Sequence, residues 1–138
     1  MNPARVRDAM IPEPQTLEAG ASAQEAGEHL ALPEVRAVFV TDERRLVGVV
    51  TRKTLVREVV AAGRHPRETP LGDIAEKPHW TLDSDLPLDE AFRLLEEWDA
   101  ERVPAVEDGR LVGVISRSVL RRRLAEDEPP MEAEGLEL

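Results

Sequence analysis

Two hydroxyl residues close matching motifs, Gly48-Val49-Val50-Thr51 and Gly113-Val114-Ile115-Ser116. In each, a glycine and two β-branched residues precede Thr or Ser, and a helix-forming stretch follows. This order predicts a strand-to-helix junction. A hydroxyl there can cap the helix, and its exposed backbone N–H groups can hold an anion such as phosphate. Both roles select Ser or Thr, so the residue type leaves them open. Arg52, Lys53 and Arg117 fall in the first helical turn, where the positive end of the helix dipole disfavours a cation by about 0.3–1 kcal/mol. Either an anion in the junction offsets them, or they reach outward to the chain's own 28 Asp and Glu residues.

Other chemistries find little footing. With no cysteine there is no disulfide, thiolate metal site or thiol nucleophile, which fits a reducing compartment. His29, His65 and His79 lack ligand spacing, so no metal is expected, and His79-Trp80 reads as a surface histidine beside a core tryptophan. Asp83 and Asp85 sit in a turn without a nucleophile, and neither phosphate-loop nor dinucleotide-loop glycine pattern occurs. No catalytic centre is expected. A net charge of −10 argues against a nucleic-acid partner, and four Trp and Phe residues with no Tyr argue against a base-stacking platform. No apolar run of about 18 residues exists to span a membrane, and a mixed-charge start excludes a signal peptide, so a cytoplasmic location is expected.

The elements that must position these residues come in two copies. LVGVVTRKTLV at 46–56 is echoed by LVGVISRSVLR at 111–121, an offset of 65 that also carries Thr16-Leu17 onto Thr81-Leu82 and Asp8 onto Asp73. Between Arg36-Ala37-Val38-Phe39-Val40 and Arg102-Val103-Pro104-Ala105-Val106 the letters match best at 66, implying a first hairpin one residue longer than the second. Each copy reads as strand, helix, strand, strand, helix. In the first, a strand over 15–17 leads to Ser22, which with Glu25 forms a capping-box signature for a helix to about Leu32. A hairpin over 36–50 follows, then a helix over 52–62 with Leu55, Val56, Val59 and Val60 on one face and Gly63 as its stop. In the second, Leu88, Ala91, Leu95 and Trp98 recur at helical spacing as a buried stripe, and 107–110 turns its hairpin. The division is therefore 1–62, a linker at 63–71, 72–125, and an acidic, solvated tail at 126–138.

This arrangement resembles the cystathionine-β-synthase (CBS) domain, two units of which pair into one module; the likeness spans about residues 3–125. It is carried by the two Gly-led motifs, by 5–10 before the first strand and by 102–108 before the second motif. The resemblance implies an α/β (α+β) tandem repeat whose inter-unit cleft binds an adenosine-type molecule such as AMP, ADP, ATP, NAD or S-adenosylmethionine. Independently of the resemblance, Thr51 and Ser116 remain a phosphate seat or simple caps, with Arg52, Lys53 and Arg117 beside them. Arg36 and Arg102 match positions that contact phosphate in adenylate-binding relatives, and Pro104 follows. If one cleft binds, the better candidate combines Thr51 and Thr54 with backbone from the opposite unit near Pro78, His79 and Trp80. Nucleotide-binding members usually carry a ribose-binding aspartate three residues after the motif Ser or Thr, where this chain has Thr54 and Val119. Thr54 keeps a hydroxyl, whereas Val119 keeps no polar group. Losing a charge-assisted bond of about 1.5–3 kcal/mol lowers affinity by one to two orders of magnitude.

The expectation is a stand-alone regulatory homodimer that senses a small adenylate-type anion and passes its occupancy to a partner protein. The competing expectation, supported by Thr54 and Val119, is a dimerisation or protein-interaction scaffold that takes no ligand.

Overall fold

The computed structural model describes residues 4–12 and 14–127. Two β-α-β-β-α units follow a short N-terminal arm made of α1 (Val6–Ala9) and β1 (Ile11–Pro12). The first unit comprises β2 (Thr16–Glu18), α2 (Ala23–Leu30), β3 (Val38–Asp42), β4 (Arg45–Val50) and α3 (Arg52–Leu55). The second comprises β5 (Leu82–Asp83), α4 (Leu88–Trp98), β6 (Arg102–Glu107), β7 (Arg110–Ser116) and α5 (Arg117–Asp127). Helix α5 runs to Asp127, and the rest of the tail expected at 126–138 lies outside the described residues.

Local chemistry sets these boundaries. The Ser22 hydroxyl accepts from the Glu25 amide at 3.2 Å and starts α2, while Asp99 in a left-handed conformation ends α4. Gly63, with φ of +71°, follows the helix of the first unit. That helix is not the regular α-helix expected over 52–62: α3 passes into a π-helical turn, Val56–Val60. The wider turn rotates the apolar residues apart, so Val59 is buried while Val56 and Val60 are 56% and 73% exposed. The expected single apolar face is therefore split.

The strands run in the order β2-β3-β4-β7-β6-β5, parallel at β2–β3 and β5–β6 and antiparallel within each hairpin. The two halves join where Arg45 of β4 pairs with Arg110 of β7. Both hairpins turn on two residues, Glu43-Arg44 and Asp108-Gly109, all with positive φ. Val40 pairs with Gly48 as Ala105 pairs with Gly113. The structural offset is thus 65 throughout, and the longer first hairpin inferred from the letter match at 66 is not present. Arg36 corresponds to Glu101 and Ala37 to Arg102; the likeness of Arg36 to Arg102 is one of composition, not of position.

Packing interleaves the copies. One core gathers Leu82, Leu88, Ala91, Leu95, Val103, Ile115 and Leu120 around Val6 from the N-terminal arm. The other gathers Ala23, Ala26, Leu30, Val38, Val40, Val50 and Val59 around Leu71 and Ile74, which precede the second unit. Each unit therefore fills its core with the segment leading into its twin. The registers repeat this exchange, since Ile11 pairs with Val114 and Glu76 bridges Val49, the same contact shifted by 65. The motif glycines stand at these crossings. A Cβ on Gly48 would meet the Glu76 carbonyl at 2.8 Å, and one on Gly113 would meet the Ile11 carbonyl at 2.8 Å.

Candidate functional site

A cavity of about 590 Å³ opens between the two units, within the size of small-molecule sites (about 300–1,000 Å³). Its walls come in corresponding pairs: Ile11 and Glu76, Arg36 and Glu101, Phe39 and Pro104, Val49 and Val114. It therefore straddles the pseudo-twofold relation between the copies. Of the residues singled out in the sequence, Arg36, Pro78, His79, Trp80, Arg102 and Pro104 line it. Thr51, Arg52, Lys53, Thr54, Ser116 and Arg117 do not.

Those six are held by the chain itself or lie outward. Thr51 caps α3 by accepting from the Thr54 amide at 3.3 Å, and Thr54, almost fully buried, accepts from the Thr51 amide at 3.0 Å. The Thr54 hydroxyl also donates to Glu76 at 3.2 Å, and Glu76 pairs with Arg57. Arg52 donates to the carbonyls of Leu32 and Val35, both at 2.9 Å, satisfying chain that leaves the C-terminal end of α2. Arg117 makes the corresponding contact in the second unit with acids, Glu96 at 3.4 Å and Asp99 at 3.3 Å. Arg52 and Arg117 thus find carbonyl and anionic partners within the protein. Lys53 is exposed.

Glu101 was not among the sequence candidates. Its carboxylate accepts from the Ser116 hydroxyl at 3.1 Å, the Ser118 hydroxyl at 3.0 Å and the Ser118 amide at 3.3 Å, with Arg117 at 3.7 Å. Burial raises its pKa, but the Ser118 hydroxyl and amide, the Ser116 hydroxyl and the Arg117 guanidinium outweigh that and hold it below the ordinary carboxylate value. The signal in the sequence was its place directly before a strand whose partner ends in Ser116.

Arg36, Arg102 and Lys77 present cations to the cavity and make no ion pair among the described residues. Trp80, expected in the core, is 39% exposed and stacks on Trp98 with ring centroids 5.1 Å apart and planes at 7°. A flat ring half-buried on another ring satisfies its apolar surface without entering the core. Among the described residues no group of three or more His, Asp or Glu is placed to hold a metal, and no helix is long and apolar enough to cross a membrane.

A family model for the CBS domain matches the chain twice, over 6–61 and 71–126. The chain belongs to the CBS domain family. Its β-α-β-β-α units and their paired arrangement are those of a CBS pair, as the resemblance implied. Hypoxic response protein 1 of Mycobacterium tuberculosis is 29% identical over 116 residues, covering 84% of this chain and 78% of that protein. Uncharacterized protein MK0525 of Methanopyrus kandleri is 32% identical over 80 residues; the match covers 57% of this chain and 41% of that protein, so this CBS pair spans less than half of that relative. The crystal structure of CBSX2 in complex with AMP superposes with a TM-score of 0.69 at 26% identity, covering 88% of this chain and 96% of that one.

Proposed function

We propose that this CBS pair is a regulatory module whose inter-unit cavity takes an adenosine-type nucleotide or a similar small anion, and that occupancy is passed to a partner protein. The observation that carries this reading is the set of three cations, Arg36, Arg102 and Lys77, facing one cavity without ion-pair partners among the described residues, in a chain of net charge −10. Glu34, Glu76 and Glu101 line the same cavity, but Glu76 is paired with Arg57 and Glu101 is held by Ser116, Ser118 and Arg117, which leaves these three cations as the donors an anion would meet there. The AMP complex of CBSX2 supports the ligand class. Among the described residues no group of side chains assembles a nucleophile with its base, so the module is assigned binding and no reaction. The exposed Val56 and Val60 on the π-turn support a homodimer contact. A cytoplasmic location accords with the absence of cysteine.

A panel of AMP, ADP, ATP, NAD and S-adenosylmethionine tests this by shift of the melting temperature, since a ligand at 100 times its dissociation constant adds about 2.7 kcal/mol of stability. At least one is expected to raise it, and Arg36→Ala with Arg102→Ala is expected to abolish the rise. A rise that survives both substitutions would move the ligand out of this cavity.

The second reading, a scaffold without a ligand, is favoured by one observation: Thr54 is locked in the cap of α3 and Val119 has no polar atom, so neither half retains a free ribose acceptor. An unmoved melting temperature across the panel, with a dimer in solution, would establish it.

A further inference from the structure

Glu76 is fixed at both ends. Its backbone exchanges hydrogen bonds of 2.8 and 2.9 Å with Val49, and both residues line the inter-unit cavity. Its carboxylate is anchored through one oxygen only: Oε1 accepts from the Thr54 hydroxyl at 3.2 Å and pairs with Arg57, whereas Oε2 meets no donor among the described residues. The side chain is 45% exposed, so packing does not bury it. The other carboxylates of the cavity differ. Glu101 has both oxygens engaged by Ser116, Ser118 and Arg117, and the exposed Glu34 carboxylate has no contact among the described residues to fix its position. Lys77 follows Glu76 in the chain, and Arg36 and Arg102 line the same cavity. A bare anion drawn to these cations would also meet the Glu76 charge. An anion that carries hydroxyls turns that charge into hydrogen bonds.

We infer that Glu76 is the specificity-determining residue that reads the sugar: its unpaired oxygen accepts from the two adjacent ring hydroxyls of a ribose while the cavity's cations take the phosphate, so a ribose is selected over a deoxy sugar. This rests on the proposed binding function. One carboxylate oxygen carries two lone pairs, enough for two hydroxyls. Thr54 and Arg57 hold the carboxylate in place before a ligand arrives, so little side-chain freedom is lost on binding. The acceptor absent from both motif positions, Thr54 and Val119, is thereby supplied by the segment that leads into the second unit.

The test is titration calorimetry with AMP and with dideoxy-AMP, which lacks both ring hydroxyls, on the whole native chain and on Glu76→Ala. The native chain is expected to bind AMP about ten- to a hundredfold more tightly than the dideoxy compound, the strength of one charge-assisted hydrogen bond, and the variant to bind the two within about threefold. Equal affinities in the native chain, or a preference that survives in Glu76→Ala, would overturn the inference and leave the binding function standing. A variant that loses both nucleotides alike would overturn it too, because it would place Glu76 in the construction of the cavity and not at the hydroxyls. Failure of AMP to bind the native chain would overturn the adenylate reading and this inference with it. Melting curves report whether Glu76→Ala is folded at the titration temperature. If it is not, Glu76→Gln takes its place, with the native preference expected to fall by at least about threefold because a neutral amide oxygen accepts more weakly; an undiminished preference there overturns the inference.

Discussion

Gly48 lies directly beneath Glu76: a Cβ added to the glycine would come 2.8 Å from the Glu76 carbonyl oxygen and 2.9 Å from the Ala75 Cβ. The backbone of the crossing segment is itself tied to Val49 by two hydrogen bonds, so it has little room to retreat. Gly48→Ala should therefore cost about 1–3 kcal/mol, the range of overpacking a filled core. Gly20→Ala, where nothing lies within 4 Å, should change stability by less than about 1 kcal/mol. Urea midpoints for the two variants check the contrast.

Arg44 adopts φ of +73° at the position where the second hairpin uses Gly109 at +81°. A left-handed conformation costs a non-glycine residue about 1–2 kcal/mol. Arg44→Gly is expected to raise stability by up to about 1 kcal/mol, the gain being reduced by the extra freedom of glycine in the unfolded chain. A lower melting temperature for the variant would show that the Arg44 side chain holds the turn.

Restoring the family's aspartate should fail on its own. Thr54 is buried with its hydroxyl 3.2 Å from a carboxylate oxygen of the exposed Glu76, so Thr54→Asp buries a carboxylate and sets it against that of Glu76. The expected result is a loss of stability that Glu76→Gln relieves, giving a favourable coupling in a double-mutant cycle. Purely additive losses would mean that the two side chains do not meet.

Glu101 gives the fold a pH dependence of known sign. Its pKa in the folded chain lies below the ordinary value, so the stability it adds is present above that ordinary value and is lost as pH falls through the folded one. The groups facing it are Ser116, Ser118 and Arg117, and Arg117 is shared with Glu96 and Asp99. The stability difference between the native chain and Glu101→Gln should therefore shrink steadily from neutral pH into the acid range. A difference independent of pH would show that the carboxylate gains nothing from its serines.

The paired architecture was legible because the repeat, the capping signature at Ser22 and the helical spacing of Leu88, Ala91 and Leu95 are local signals that packing did not override. What the sequence could not show were tertiary facts. The π-turn that exposes Val56 and Val60 keeps an ordinary helical pattern in its letters. Arg36 resembled Arg102 in composition, and only the strand register revealed Glu101 as its counterpart. The first-turn cations were legible as anomalies, but whether Arg52 reached a ligand or the end of α2 depended on which element lay opposite.

The traded segments make each half incomplete by itself. A fragment ending before Leu71 would lack Leu71 and Ile74, and a fragment starting there would lack Val6, leaving each interior with a hole at a fully or almost fully enclosed point. Each interior is thus finished by its neighbour, like a handshake in which neither grip is whole until both close.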